Sequence, residues 1–145
     1  MSTDNKEIAR RLMEDVWNNR KLDVVDELID ASYAYHDPNS PDFPQGPEGY
    51  KARVTFYTNA FPDLRFVIDD VIAEGDRVVV RWQATGTHRG EVLGVPATGK
   101  AITGTGMHVI QCKNGSVVHD WGVWDALGLL HQLGALPTTV MGRAA

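Results

Sequence analysis

The sequence is short of the residues that staple or metallate small proteins. Its single cysteine, Cys112, allows no intrachain disulfide and no cysteine metal cluster, and one thiol suits a reducing compartment. There is no His-x-His and no His-Glu-x-x-His pattern, so the adjacent His119 and Asp120 make no recognisable metal site, and no metal is expected. No apolar run approaches the ~18 residues that would span a bilayer, which argues against a membrane partner. Residues 1–7 lack the basic start and apolar stretch of a secretory signal, and a cytoplasmic location is the expectation. Basic residues are in deficit, with 14 Lys and Arg against 19 Asp and Glu and a net charge of −5. They are scattered rather than gathered in a stripe, so nucleic acid is not an expected partner. A Gly-x-Ser-x-Gly elbow is missing, and Gly90, Gly94 and Gly99 open no helix, which excludes a nucleophilic serine of that kind and a phosphate cradle.

What is present is enough for one core. With 145 residues, 43% of them apolar, the chain has the size and composition of a single domain covering residues 1–145. Ile8, Leu12, Val16 and Trp17 recur at helical spacing between charged positions, and predict an amphipathic helix over residues 4–17, with Asp4 and Glu7 at capping-box spacing. Leu22, Val25, Leu28 and Ile29 outline a short second helix that ends before Tyr33. Pro38, Pro41 and Pro44 make residues 36–46 a loop. Pro47 then opens a third helix carrying Tyr50, Val54, Tyr57 and Phe61, closed at Pro62.

After Pro62 the period drops from 3.6 to two. Residues 65–73 and 77–87 read as a hairpin, with Val78, Val80, Trp82 and Ala84 on one face. A second hairpin spans residues 100–124 and turns at Asn114-Gly115. Residues 126–133 form a last short helix, with Gly134 as C-cap and Pro137 beyond it. Helices first and long antiparallel strands afterwards is the α+β pattern in which helices cover one face of a curved sheet.

Taken as a two-residue turn, Asn114-Gly115 sets His108 opposite Trp121. His108, Ile110, His119, Trp121, Val123 and Asp125 then share one face, while Asp120 and Trp124 take the other unless a bulge intervenes. On this register Asp125, beside Trp121 and Trp124, is a candidate acid–base group, since desolvation raises a carboxyl pKa toward the useful range. It is equally placed to N-cap the last helix. His108, in mid-strand, is its candidate partner in proton transfer, and Asp120 is the alternative acid if the register shifts. His36, at the mouth of the proline-rich loop, and Trp17, Tyr57, Phe61 and Trp121 are candidates for the walls of a substrate pocket, although the aromatic side chains would serve equally as core.

The segments Gly86-Thr87-His88-Arg89-Gly90, Gly94-Val95-Pro96-Ala97-Thr98-Gly99-Lys100 and Trp121-Gly122-Val123-Trp124-Asp125-Ala126-Leu127-Gly128-Leu129-Leu130-His131-Gln132-Leu133-Gly134, with His36-Asp37-Pro38 and Gly46-Pro47-Glu48-Gly49-Tyr50, resemble the SnoaL-like polyketide and ester cyclases along nearly the whole chain. The resemblance implies the nuclear-transport-factor-2-like fold, a cone-shaped curved sheet wrapped by three helices around an apolar pocket, and a homodimer formed through the sheet. It implies an intramolecular aldol cyclisation of a small hydrophobic substrate without metal or cofactor, with an aspartate on the last strand as acid and base and a histidine on the neighbouring strand assisting. These map onto Asp125, or Asp120 if the strand bulges, and His108. Trp124 would make the pocket more apolar. An isomerase, a dehydratase, an epoxide hydrolase or a non-catalytic ligand carrier in the same pocket are the alternatives, since a fold does not fix a function.

Overall fold

The apolar stripe of the first segment buries itself, but not as one regular helix. In a computed structural model of the chain, which describes residues 2–136, α1 (Ser2–Arg11) passes into a wider π-helical stretch, Leu12–Asn18. Leu12, Met13, Val16 and Trp17 are all buried there. The helix begins ahead of Asp4, so the Asp4/Glu7 pair lies inside it and makes no capping box. Asn18 ends the stretch by clamping the sheet: its amide donates to the Phe66 carbonyl (2.9 Å) and accepts from the Phe66 N–H (2.7 Å). A short α2 (Asp23–Leu28) follows, then α3 (Gly46–Ala60) after the proline-rich loop.

Between α2 and that loop the chain forms β1 (Ile29–His36), a strand not foreseen from the sequence. The remaining strands, β2 (Arg65–Glu74), β3 (Arg77–Thr87), β4 (Ala101–Lys113) and β5 (Ser116–Trp124), match their expected places within a residue or so. They assemble in the order β1-β5-β4-β3-β2, antiparallel throughout except that β1 runs parallel to β5. The last helix, α4 (Ala126–Gln132), is tied to β4 by Gln132, whose side chain bonds both the N–H and the carbonyl of Thr103. Gly134 follows in the left-handed region (φ 76°). Pro137 lies outside the described residues. None of the described helices is long and apolar enough to cross a membrane.

One face of the sheet is buried under the helices. Val78, Val80, Trp82 and Ala84 of β3 point inward as their alternation predicts, against Leu12, Trp17, Tyr50, Val54 and Phe61 from the helical layer. The opposing face, carrying Val79, Arg81, Met107, Val109, Trp121 and Val123, is open to solvent to varying degrees. The helices do not fill the cone. A cavity remains, lined almost wholly by apolar and aromatic groups.

Two strand glycines shape that cavity differently. A methyl at Gly106 would lie 2.4 Å from Trp82 Cζ2, whereas one at Gly104 would meet nothing within 4 Å. Gly106→Ala should therefore destabilise the fold by about 1–3 kcal/mol through overpacking. Gly104→Ala should stay within about 1 kcal/mol of wild type. Urea denaturation of the two variants side by side checks the contrast.

Candidate active site

The register of the second hairpin decides which acid faces the cavity. The turn begins as expected, with Lys113 opposite Ser116 and Cys112 opposite Val117. A bulge then leaves Val118 unpaired, so that Gln111 faces His119, Ile110 faces Asp120 and His108 faces Gly122. One extra residue exchanges the two faces of everything beyond it. The expected pairing of His108 with Trp121 is corrected accordingly: Asp120 and Trp124 share the inner face with His108, and His119, Trp121 and Val123 turn outward.

Asp125 is not a cavity residue. It is exposed at the start of α4, where its carboxylate accepts the Gly128 N–H at 2.8 Å as an N-cap. A methyl at position 128 would lie 2.2 Å from Asp125 Oδ2, so a side chain there would make this exposed carboxylate shift. The capping alternative raised for Asp125 is thus the observed one. His36 and Trp121 are also removed from the pocket. They stack with His119 on the outer face, ring centroids 5.3–5.6 Å apart. Trp17, Tyr57 and Phe61 do line the cavity.

Asp120 lies at the centre of a network in the cavity wall. Its Oδ1 accepts from His108 Nδ1 at 2.8 Å, and its Oδ2 accepts from Tyr33 Oη at 2.8 Å and from Arg53 at 3.5 Å. Arg53 also donates to Tyr33 Oη (2.8 Å), and its guanidinium lies 3.6 Å from the centre of the Tyr35 ring and 4.6 Å from that of Tyr50. Arg53 and Asp120 are each only 3% exposed. Burial works to raise the Asp120 pKa. The charge and hydrogen bond of His108, with Arg53 and Tyr33, outweigh it and hold the carboxyl below its ordinary value.

A carboxylate can only accept, so it fixes the proton of a neutral His108 on Nδ1 and leaves Nε2 as the basic nitrogen. Tyr35 stacks on the imidazole at 6.0 Å, Trp82 flanks it at 6.1 Å, and both line the cavity with it. Gly122 makes room for this arrangement, since a methyl would lie 2.7 Å from Tyr35 Oη and 2.8 Å from His108 Cε1. At the mouth, Tyr35 donates to Asp37 (2.7 Å) and Asn39 donates to the Trp124 carbonyl (3.3 Å), docking the proline-rich loop on the end of β5. Such a site offers a base of fixed tautomer, a buried cation and apolar walls. Among the described residues no group of three or more His, Cys, Asp or Glu side chains is placed to hold a metal ion.

Arg53, Tyr33 and Tyr35 were not anticipated. Arg53 had a signal, for it is the one charge on the apolar stripe of Tyr50, Val54 and Tyr57 in α3 that continues to Phe61 at its C-cap. For the tyrosines the signal is the period-two alternation Tyr33-Ala34-Tyr35, which puts both rings on one face of β1.

The fold is shared with known proteins. The family model for SnoaL-like polyketide cyclase matches residues 7–133. The chain belongs to that family. Among its relatives, aklanonic acid methyl ester cyclase DnrD of Streptomyces peucetius is 32% identical over 136 residues, covering 88% of this chain and 89% of the relative. The corresponding cyclase AcmA of Streptomyces galilaeus is 30% identical over 131 residues, covering 87% and 88%. In three dimensions, TsrD from Streptomyces laurentii superposes with a TM-score of 0.83 at 27% identity, covering 92% of this chain and 97% of TsrD. The SnoaL-like family and its fold were therefore legible in the sequence, whereas of the two candidate acids Asp120 lines the cavity and Asp125 lies outside it.

The two aspartates should respond differently to substitution. Asp125→Ala removes a cap and should cost about 0.5–2 kcal/mol at neutral pH. Asp120, with a folded pKa below its unfolded value of ~3.9, stabilises the fold fully above the unfolded value, and that contribution is lost as pH falls through the folded one. Asp120→Asn should thus be most destabilised relative to wild type near neutrality, with the gap narrowing toward pH ~3. Urea denaturation across that range measures both effects.

Proposed function

We propose that the protein is a cofactor-independent cyclase that closes a ring in a small, hydrophobic, polyketide-like carbonyl compound by acid–base catalysis at His108 and Asp120. The reading is carried by the 2.8 Å contact of His108 Nδ1 with Asp120 Oδ1 in the wall of an otherwise apolar cavity. The naming of the relatives as cyclases supports it.

His108 Nε2 removes a proton from the carbon α to a carbonyl, and the electron pair of that C–H bond passes into an enolate. Asp120 holds the ring in the required tautomer and balances the imidazolium that forms. The buried Arg53 charge adds a favourable potential for the developing oxyanion, strong because the surroundings are apolar. The enolate carbon then attacks a second carbonyl of the same molecule, forming the carbon–carbon bond, and the resulting alkoxide takes the proton back from His108. The product is an isomer of the substrate, so no oxidant, reductant or water is consumed. Enclosure between Tyr35, Trp82 and the helical layer contributes proximity.

Aklanonic acid methyl ester, the compound in the relatives' names, is the trial substrate. A product of unchanged mass with one ketone fewer should form in the presence of a chelator. His108→Ala and Asp120→Asn should each lower turnover by about 10²–10⁴-fold, and Asp125→Ala should leave it near wild type. Chromatography with mass detection reads all four. Undiminished turnover in His108→Ala would overturn the acid–base assignment.

We further propose that the working form is a homodimer joined through the outer face of the sheet. Met107 (52% exposed) pairs with Val123 (62% exposed) at the centre of that face, next to Val109 and Trp121, and Arg81 with Asp69 and Asp70 flanks the strip with both signs of charge. A twofold interface needs this kind of self-complementary patch. Sedimentation velocity should give a dimer mass for wild type and a monomer mass for Val123→Lys.

A further inference from the structure

We infer that Gly104 is a specificity-determining residue: with Ala84 it keeps open a recess at the far end of the cavity, which receives the end of a long substrate remote from the carbon deprotonated at His108. This rests on the proposed use of the cavity as the substrate site, and it names the residue that limits substrate length.

The inner wall runs in cross-strand rows. His108 lies opposite Val80, Gly106 opposite Trp82, Gly104 opposite Ala84 and Ile102 opposite Gly86. Moving away from His108, the wall therefore presents the Trp82 indole, then a row with almost no side chain, then Ile102. Phe61 closes the far end over Gly86, where a methyl would lie 3.1 Å from Phe61 Cβ. Ala84, Gly104, Ile102 and Phe61 all line the same cavity as His108 and Trp82. Four residues of extended strand separate His108 from Gly104, a span of about 13 Å.

Nothing in the protein requires glycine at position 104. Its φ lies outside the left-handed region, so the backbone would accept any residue. An added Cβ would meet nothing within 4 Å among the described residues, unlike the one at Gly106, which would strike Trp82. Glycine inside a strand weakens the ladder, and a β-branched residue would strengthen it. What glycine preserves here is volume, and that volume belongs to the cavity: Ala84, directly opposite on the inner face, is only 5% exposed.

The spacing gives the ligand its shape. A ketone whose α-carbon meets His108 lays its first ring alongside Trp82, and only further rings fused in line reach the row of Ala84 and Gly104. The walls of the recess are apolar, so the end that enters it is hydrocarbon rather than charged or hydroxylated.

The test uses acetophenone, 2-acetylnaphthalene and 2-acetylanthracene, methyl ketones with one, two and three rings fused in line. Equilibrium dialysis measures the Kd of each. In wild type the three-ring ketone should bind about tenfold tighter than the two-ring ketone, because its last ring is buried in the recess. Gly104→Leu should fill the recess and weaken the three-ring ketone about tenfold, while acetophenone stays within twofold. Urea denaturation shows whether that variant folds. If it does not, Gly104→Ala carries the test with a loss of about threefold, since its methyl enters open space. Equal weakening of the short and long ketones, an unchanged affinity for 2-acetylanthracene in the folded variant, or no binding of 2-acetylanthracene to wild type overturns the inference. His108→Ala should keep the dependence on length, so failure of the acid–base assignment and failure of the recess are read separately.

Discussion

Everything in the inner wall is arranged around one constraint: a full ion pair, Arg53 with Asp120, is buried beside an apolar cavity. Removing two charges from water is expensive, and mutual attraction offsets that only when the remaining donors and lone pairs are also satisfied. Here the satisfaction comes from every side. Tyr33 bridges the two charges, His108 takes the second carboxylate oxygen, and the faces of Tyr35 and Tyr50 lie against the guanidinium. Three separate pieces of chain must be in register for this, namely β1 for the tyrosines, α3 for the arginine and the β4–β5 hairpin for the acid and the imidazole.

The constraint also explains why β1 joins the sheet at all. Pairing parallel with β5, Tyr35 aligns with Asp120 and Ala34 with His119, which carries the Tyr33 hydroxyl to Asp120 and the Tyr35 ring onto His108. A loop in the same place would leave Asp120 with one fewer donor and Arg53 with less π surface. A well-packed apolar replacement of such a pair is commonly no less stable, so packing alone gives no reason for it; a polarised imidazole facing an apolar cavity does.

Periodicity carries most of what the sequence says about the fold. The switch from period 3.6 to period two at Pro62, the Asn114-Gly115 turn and the alternation through Trp82 placed α3, β2, β3, β4, β5 and α4. What escaped was non-local. β1 has the uneven sequence Ile29-Asp30-Ala31-Ser32-Tyr33-Ala34-Tyr35-His36, and it is made a strand by β5, more than eighty positions away. The bulge at Val118 leaves no glycine or proline as a marker, so the expected register exchanged the two faces. That single slip put Asp125 and Trp121 on the expected inner face and turned Asp120 to the other, while His36, expected at the site from its place beside the proline-rich loop, pairs instead with the outward-facing Trp121.

The strand glycines hold the remaining information about chemistry. Within a ladder, glycine weakens the sheet, so its placement needs a local reason. Gly122 has no side chain because Tyr35 and His108 fill that volume, and Gly106 has none because the Trp82 indole does. Gly122 stands directly behind the imidazole proposed for proton transfer, and Gly106 behind the aromatic ring that flanks it. The empty position at Gly104 has no such neighbour and opens onto the cavity itself. Three glycines thus divide the inner wall into space yielded to a polarised imidazole, space yielded to a large aromatic ring and space left for a ligand.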